Sequence, residues 1–231
     1  MAQPPNILIL KTGTTNPPVV EVFGDYDDWF QRCLVTHSIE WHVVNIYEGE
    51  PIPSLDDFDG VMITGSPSSV WEMKPWMLRS IEWLKARVEL QDIPILAVCF
   101  GHQLLGAALG GVVEPNVKGA ENGTIAVKLT EEGQQDSLFA ELSSVINVQS
   151  VHKDIVVDIP NRIDTLCLGS TENTAIQALA VGPNIRSVQF HPEIVAPVLA
   201  KLFEIREQEA EVFVSSDGVS ILERWVKHWL H

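Results

Sequence analysis

The sequence predicts an α/β fold with three layers: a mostly parallel central sheet, helices on both faces, and a small antiparallel sheet. Three observations carry this expectation. Short unbroken apolar runs recur at residues 7–10, 41–45, 61–64 and 95–98, each bounded by Pro, Gly or polar residues. Continuous apolar strands of this kind are buried on both faces, as in parallel sheets. Stretches with helical spacing alternate with them, which is the pattern of strands linked by crossover helices. After Gly110 the style changes to short alternating segments, which read as antiparallel strands.

The elements follow in order. Asn6-Ile7-Leu8-Ile9-Leu10 is too short and lacks a basic leader for a signal peptide, so it reads as the first strand. Asp25, Asp27 and Asp28 form a charge run that caps and starts a helix near Asp27, in preference to a metal site. Met77, Ile81, Leu84 and Val88 are spaced four, three and four apart and share one helical face. Residues 111–117 and 125–129 read as antiparallel strands, 154–160 as a turn region, and 163–168, 175–181 and 185–190 as further strands. Two helical patterns close the chain, 194–209 and the stripe of Ile221, Leu222, Trp225 and Trp229. That stripe is expected to pack on the sheet.

Composition bounds the function. A chain of 231 residues suits one α/β domain, expected to span 1–231. The net charge of −16 argues against nucleic acid or an anionic membrane as partner. Three cysteines make no even disulfide framework, which points to a reducing, cytoplasmic setting. No apolar run approaches membrane-spanning length. His37, His42, His228 and His231 have no partner at ligand spacing, and neither metal nor cofactor is expected.

Chemistry concentrates at Cys99. The run Pro94-Ile95-Leu96-Ala97-Val98-Cys99-Phe100-Gly101-His102-Gln103 is an apolar strand that ends at a cysteine with small residues on either side. This is the pattern of a strand turning sharply into a helix with a nucleophile at the apex. The helix must pass close to the strand, so small residues flank the apex. The helix N-terminus favours a thiolate and offers N–H groups to an oxyanion. A second apolar run ends in His191-Pro192-Glu193. Cysteine, histidine and carboxylate are the parts of an activated thiol nucleophile. Cys33 and Cys167 read as small core residues.

These residues resemble the class I (triad) glutamine amidotransferases. The family's elbow, Gly-x-Cys-x-Gly-x-Gln, stands here as Ala97-Val98-Cys99-Phe100-Gly101-His102-Gln103, with Ala97 for the first glycine. The His-Pro-Glu motif is unaltered. The oxyanion loop stands as Ile63-Thr64-Gly65-Ser66-Pro67. More of the chain is similar to the stand-alone subgroup akin to the amidotransferase domain of GMP synthase. That similarity lies in Leu10-Lys11-Thr12-Gly13, in Gly24 to Phe30, in Lys118-Gly119-Ala120-Glu121-Asn122-Gly123 (with Asn122 in an unusual place), and in the histidine loop Val148 to Asp154.

The resemblance implies a family fold and hydrolysis of a glutamine γ-amide. Cys99 would attack, His191 serve as base and acid, and Glu193 orient it, with backbone N–H groups of Gly65 and Phe100 holding the oxyanion. Ser66 belongs to the same loop. Gln103 supports that loop or lies on the helix surface. His152 and Asp154 hold the substrate's α-amino group or belong to a solvated loop. The substrate is glutamine or another γ-glutamyl compound. The ammonia acceptor is a synthetase partner or water, because the sequence shows no synthetase domain. A γ-glutamyl peptidase with the same triad, or a non-catalytic scaffold, are the alternatives. The Gly65-Ser66-Pro67 loop is expected to be flexible, and the isolated protein to hydrolyse free glutamine slowly.

Overall fold

Residues Ile7 to Ile9 and Ile95 to Val98 are fully buried, as strands covered on both faces must be. The computed structural model describes residues 3–160, 162 and 164–230. In order, the elements are β1 (Asn6–Lys11), α1 (Pro17–Phe23), α2 (Tyr26–Cys33), β2 (Glu40–Asn45), β3 (Gly60–Ile63), α3 (Pro75–Leu90), β4 (Ile95–Val98), α4 (Phe100–Ala108), β5 (Val112–Pro115) and β6 (Glu121–Leu129). They continue as α5 (Glu131–Gln135), β7 (Val145–His152), β8 (Asp154–Asp158), β9 (Thr165–Ser170), β10 (Ala178–Val181), β11 (Ile185–Val188), α6 (Ala196–Ile205) and α7 (Asp217–Trp229).

The central sheet has nine strands in the order β2-β1-β3-β4-β11-β10-β9-β6-β7, and β5 pairs with β8 in a separate antiparallel pair. From β2 to β11 every neighbour is parallel. From β11 to β7 every neighbour is antiparallel. The expected α/β architecture is present, and the antiparallel strands extend the central sheet itself.

Alternation along the strands builds two cores. Ile7, Ile9, Met62, Leu96 and Val98 face α2 and α7 on one side. Leu8, Leu10, Val61, Ile63 and Ile95 face α3 and α4 on the other. The expected helical face of Met77, Ile81, Leu84 and Val88 is buried in this second core. The C-terminal stripe does pack on the sheet: Ile221, Leu222 and Trp225 are fully buried in the first core. Each such side chain contributes about 1.5–3 kcal/mol by burial. A third cluster joins α1, α2 and α6 through Val19, Tyr26, Trp29, Ile194, Val198 and Leu202.

Two sequence readings change. Residues 154–160 are not merely a turn, because β8 occupies Asp154–Asp158 with Ile155 and Val156 buried against β5. The flanking Asp and Pro masked a β-branched run of Ile155, Val156 and Val157. The segment Val148 to His152 is not a loop but the end of β7, paired with β6. The α2 helix starts at Tyr26, with Asp25 as N-cap and Asp28 closing a capping box. Asp25 and Asp27 also pair with Lys11 at 2.8 and 2.7 Å, so their charges serve the helix start and a cation of β1. The expected strand at 163–168 begins at Thr165, and Ile163 and His231 lie outside the described residues.

Candidate active site

Cys99 sits between β4 and α4 with φ 51° and ψ −100°, a conformation side chains rarely adopt. Such backbone costs on the order of 1–3 kcal/mol and persists only where the surroundings hold it. Here the Cys99 N–H donates to the Val188 carbonyl at 2.8 Å, and the Gly101 N–H to that of Thr64 at 3.2 Å. A β-carbon on Gly101 would lie 2.9 Å from the Ile63 carbonyl oxygen, which is why the position needs glycine. Ala97, by contrast, is fully buried between β3 and β11 and its methyl is accommodated.

His191 follows β11, and its N–H donates to the Gln149 carbonyl of β7 at 2.8 Å. Its Nδ1 lies 2.7 Å from Glu193 Oε1. A carboxylate only accepts, so Nδ1 carries the proton and Nε2 is left for Cys99. All three side chains are buried. Burial pushes the imidazole's proton affinity down, but the charges of Glu193 and then Cys99 outweigh it and hold its pKa up to about 10. The Tyr26 ring stacks on His191 with centroids 6.3 Å apart.

Gly65 lies against this histidine: a β-carbon there would fall 2.7 Å from His191 Cε1. Neither its N–H nor that of Phe100 donates a hydrogen bond among the described residues. The loop is tied down. Thr12 Oγ1 donates to the Gly65 carbonyl at 2.8 Å, and Ser66 Oγ to the Thr12 carbonyl at 2.8 Å. A β-carbon on Gly13 would meet Ser66 Oγ at 2.7 Å, so the Leu10-Lys11-Thr12-Gly13 segment cradles the loop.

Cys99, His191, Ser66, Gln103 and His152 all line one cavity of about 300 Å³. Gln103 is neither a surface glutamine nor a prop for the Gly65 loop. It is buried, and its Nε2 donates to the Asp154 carbonyl at 2.8 Å and the Gln189 Oε1 at 3.3 Å. His152 and Asp154 are buried as well, not part of a solvated loop. Asp154 Oδ1 has no protein partner among the described residues.

The chain matches the family model described as "Glutamine amidotransferase class-I" over residues 19–201. It belongs to the class-I glutamine amidotransferase family. It is similar to a glutamine amidotransferase-like protein of Schizosaccharomyces pombe, 30% identical over 95% of this chain and 91% of that one. It is also similar to one subunit of the glutamine-hydrolyzing GMP synthase from Saccharolobus solfataricus, 36% identical over 63% of this chain and 72% of that one. Gamma-glutamyl peptidase 3 of Arabidopsis thaliana is 22% identical over 80% of this chain and 76% of that one. The crystal structure of a glutamine amidotransferase from Thermotoga maritima shares the fold, with TM-score 0.75, 19% identity and coverage of 98% and 100%.

Within this family member, sequence reasoning passed over several residues at the site. Glu121 is buried at the start of β6 and faces His152 Nε2 at 3.3 Å. It accepts from Thr171 Oγ1 at 2.5 Å, Thr174 Oγ1 at 2.6 Å and Gln177 Nε2 at 2.7 Å. Burial raises its pKa, but His152 and then the Thr171 and Thr174 hydroxyls bring it below the ordinary glutamate value. Cys33, read as core, is half-buried and its Sγ donates to the Glu193 carbonyl at 3.4 Å. His102 is fully buried beside Ser187 Oγ at 2.8 Å, and burial lowers its pKa to about 3. Tyr26 and Arg206 also line the cavity. Tyr26 and Glu121 left a signal, inside the segments Gly24 to Phe30 and Lys118 to Gly123 that carry the resemblance. No helix among the described residues is long and apolar enough to cross a membrane.

Proposed function

We propose that the chain hydrolyses a γ-glutamyl amide through a Cys99–His191–Glu193 triad, with glutamine as substrate and ammonia as product. The observation that carries this reading is a cysteine at a left-handed elbow sharing a cavity with a histidine bonded to a buried carboxylate.

The steps follow from the groups. His191 Nε2 takes the thiol proton, and Sγ attacks the γ-carbonyl carbon. The resulting oxyanion accepts from the Gly65 and Phe100 N–H groups, which have no other partner among the described residues. Each such donor is worth roughly 3 kcal/mol in the transition state. The tetrahedral species collapses, and the C–N bond breaks. His191 gives its proton to the departing nitrogen, leaving a γ-glutamyl thioester. Water, deprotonated by His191, attacks the thioester carbon, and Sγ leaves and recovers the proton. Glu193 accepts from Nδ1–H throughout, which fixes the ring and balances its positive charge.

The ammonia is released to solvent or passed to an acceptor enzyme. A second reading, a γ-glutamyl peptidase, is supported by the similarity to a plant protein of that name. The test is a panel of γ-glutamyl amides and peptides, assayed for glutamate, ammonia and free amine, with and without cell extract. Glutamate release that disappears in Cys99→Ala supports the triad. Undiminished release from folded Cys99→Ala overturns it.

A further inference from the structure

We infer that Arg206 binds a carboxylate on the group that leaves, so that the preferred substrate is a γ-glutamyl amino acid or peptide with a free C-terminal carboxylate. The inference rests on the triad reading above, because His191 must protonate the departing amine. The leaving group therefore lies on the His191 side of Cys99.

That side of the cavity is built for more than ammonia. Tyr26 stacks on His191, and Ile194 and Leu202 continue the wall as part of one apolar cluster. Arg206 caps the C-terminal end of α6 and also lines the cavity. Leu202, about one helical turn before it on α6, belongs to the same cluster as Tyr26 and Ile194. The lining also includes Gln103, Asn122, His152 and Asp154, polar groups suited to the glutamyl head. An apolar wall ending in a cation fits an amine with an aliphatic body and a terminal carboxylate.

The guanidinium is available for that task. Its Nε and Nη2 donate only to Asn16 Oδ1, both at a long 3.3 Å. Among the described residues no carboxylate pairs with it, although the chain carries 31 acidic side chains against 15 basic ones. Arginine's planar fork suits a carboxylate better than a lysine ammonium does. Lys153 is the other lysine or arginine of the lining.

The experiment measures binding to the folded Cys99→Ala chain by titration calorimetry. The probes are γ-glutamyl-valine and the same compound with its C-terminus as the carboxamide. The expected result is tenfold or more tighter binding of the acid, reduced to near equality in Cys99→Ala/Arg206→Gln. Lys153→Gln in place of Arg206→Gln should leave the ratio as it was. No acid preference in the Cys99→Ala chain, or a ratio that survives Arg206→Gln or collapses in Lys153→Gln, overturns the inference. A weaker affinity for both probes by the same factor in Arg206→Gln also overturns it, since Arg206 would then read the glutamyl head. Loss of the triad reading would show separately, as turnover by Cys99→Ala.

Discussion

The parallel and antiparallel halves of the sheet do different work at the same cavity. The inner strands of the parallel half are apolar: β1, β3 and β4 bury Ile, Leu, Val and Met on both faces. It holds Cys99 in a strained conformation by close packing and by two main-chain hydrogen bonds. The antiparallel half buries Glu121, Gln149, Ser150, His152, Gln177 and Ser187. It anchors His191 and lines the cavity with buried polar groups. Close packing fixes a backbone; hydrogen-bond networks fix the direction of polar side chains. A site that needs one strained nucleophile and several aimed polar groups uses both.

The largest effect should come from the parallel side. Cys99→Ala should lower turnover of any γ-glutamyl amide by a factor on the order of a million while the thermal unfolding midpoint changes little. Single-turnover assays beside calorimetry check both halves of that statement. On the antiparallel side, His191→Gln should lose nearly as much, whereas Glu193→Gln should lose roughly a hundredfold less, since an orienting carboxylate is less costly to remove than a base. Equal, near-native rates in both variants would place the base elsewhere, with His152 the first to test.

Stability separates the halves by mechanism. Glu121→Ala strips the acceptor from Thr171, Thr174 and Gln177 together, and each buried donor left unpaired costs about 1–3 kcal/mol. Gly101→Ala pushes a methyl against the Ile63 carbonyl and should cost about 1–3 kcal/mol by overpacking. Urea denaturation of the two variants measures these losses. Glu121→Gln, which keeps one acceptor oxygen, should recover part of the first loss.

The smallest effect is the most diagnostic. Two fully buried histidines shift in opposite directions: His191 up to about 10 and His102 down to about 3. For His191 the folded pKa exceeds the unfolded value, so its contribution is complete below about pH 6.5 and fades as pH rises toward 10. For His102 the folded pKa is the lower one, so its contribution is complete above about pH 6.5 and fades as pH falls toward 3. Stability from this pair should therefore peak near pH 6.5. His191→Gln should flatten the alkaline limb relative to the parent, and His102→Asn the acid limb. Denaturation midpoints across pH 4 to 9 decide this; parallel curves for parent and variants would contradict the assignment.

The Ser66 loop tempers one expectation. Read from sequence, Gly65-Ser66-Pro67 is flexible and able to turn its N–H groups away. In the fold, buried Thr12 and Thr64 bond to it and Gly13 lies beneath it. Slow hydrolysis of free glutamine, if found, then calls for a cause other than a mobile oxyanion loop; a leaving-group side that favours a larger amine is one.

What the sequence determined by itself was whatever depends on neighbours in the chain. The apolar run into Cys99, the glycine at 101, the helical spacing from Met77 to Val88, and the Asp25 cap are all local, and all were legible. So was the His191-Pro192-Glu193 motif, because two residues suffice to bring its carboxylate to its imidazole. The tertiary structure decided which polar residues are buried, and against what. Glu121 stands in a segment that carries the resemblance, but its burial shows only when residues 50 to 56 positions away close around it. Gln103 reads as a support for the oxyanion loop or a helix-surface residue until β8 passes over it, and β8 itself was hidden by the polar residues at its ends. Arg206 carries no motif at all, and it enters the cavity only because α6 ends there. Local patterns set elements through propensity and periodicity. The fate of a polar side chain depends on partners that only the folded chain brings within hydrogen-bond reach.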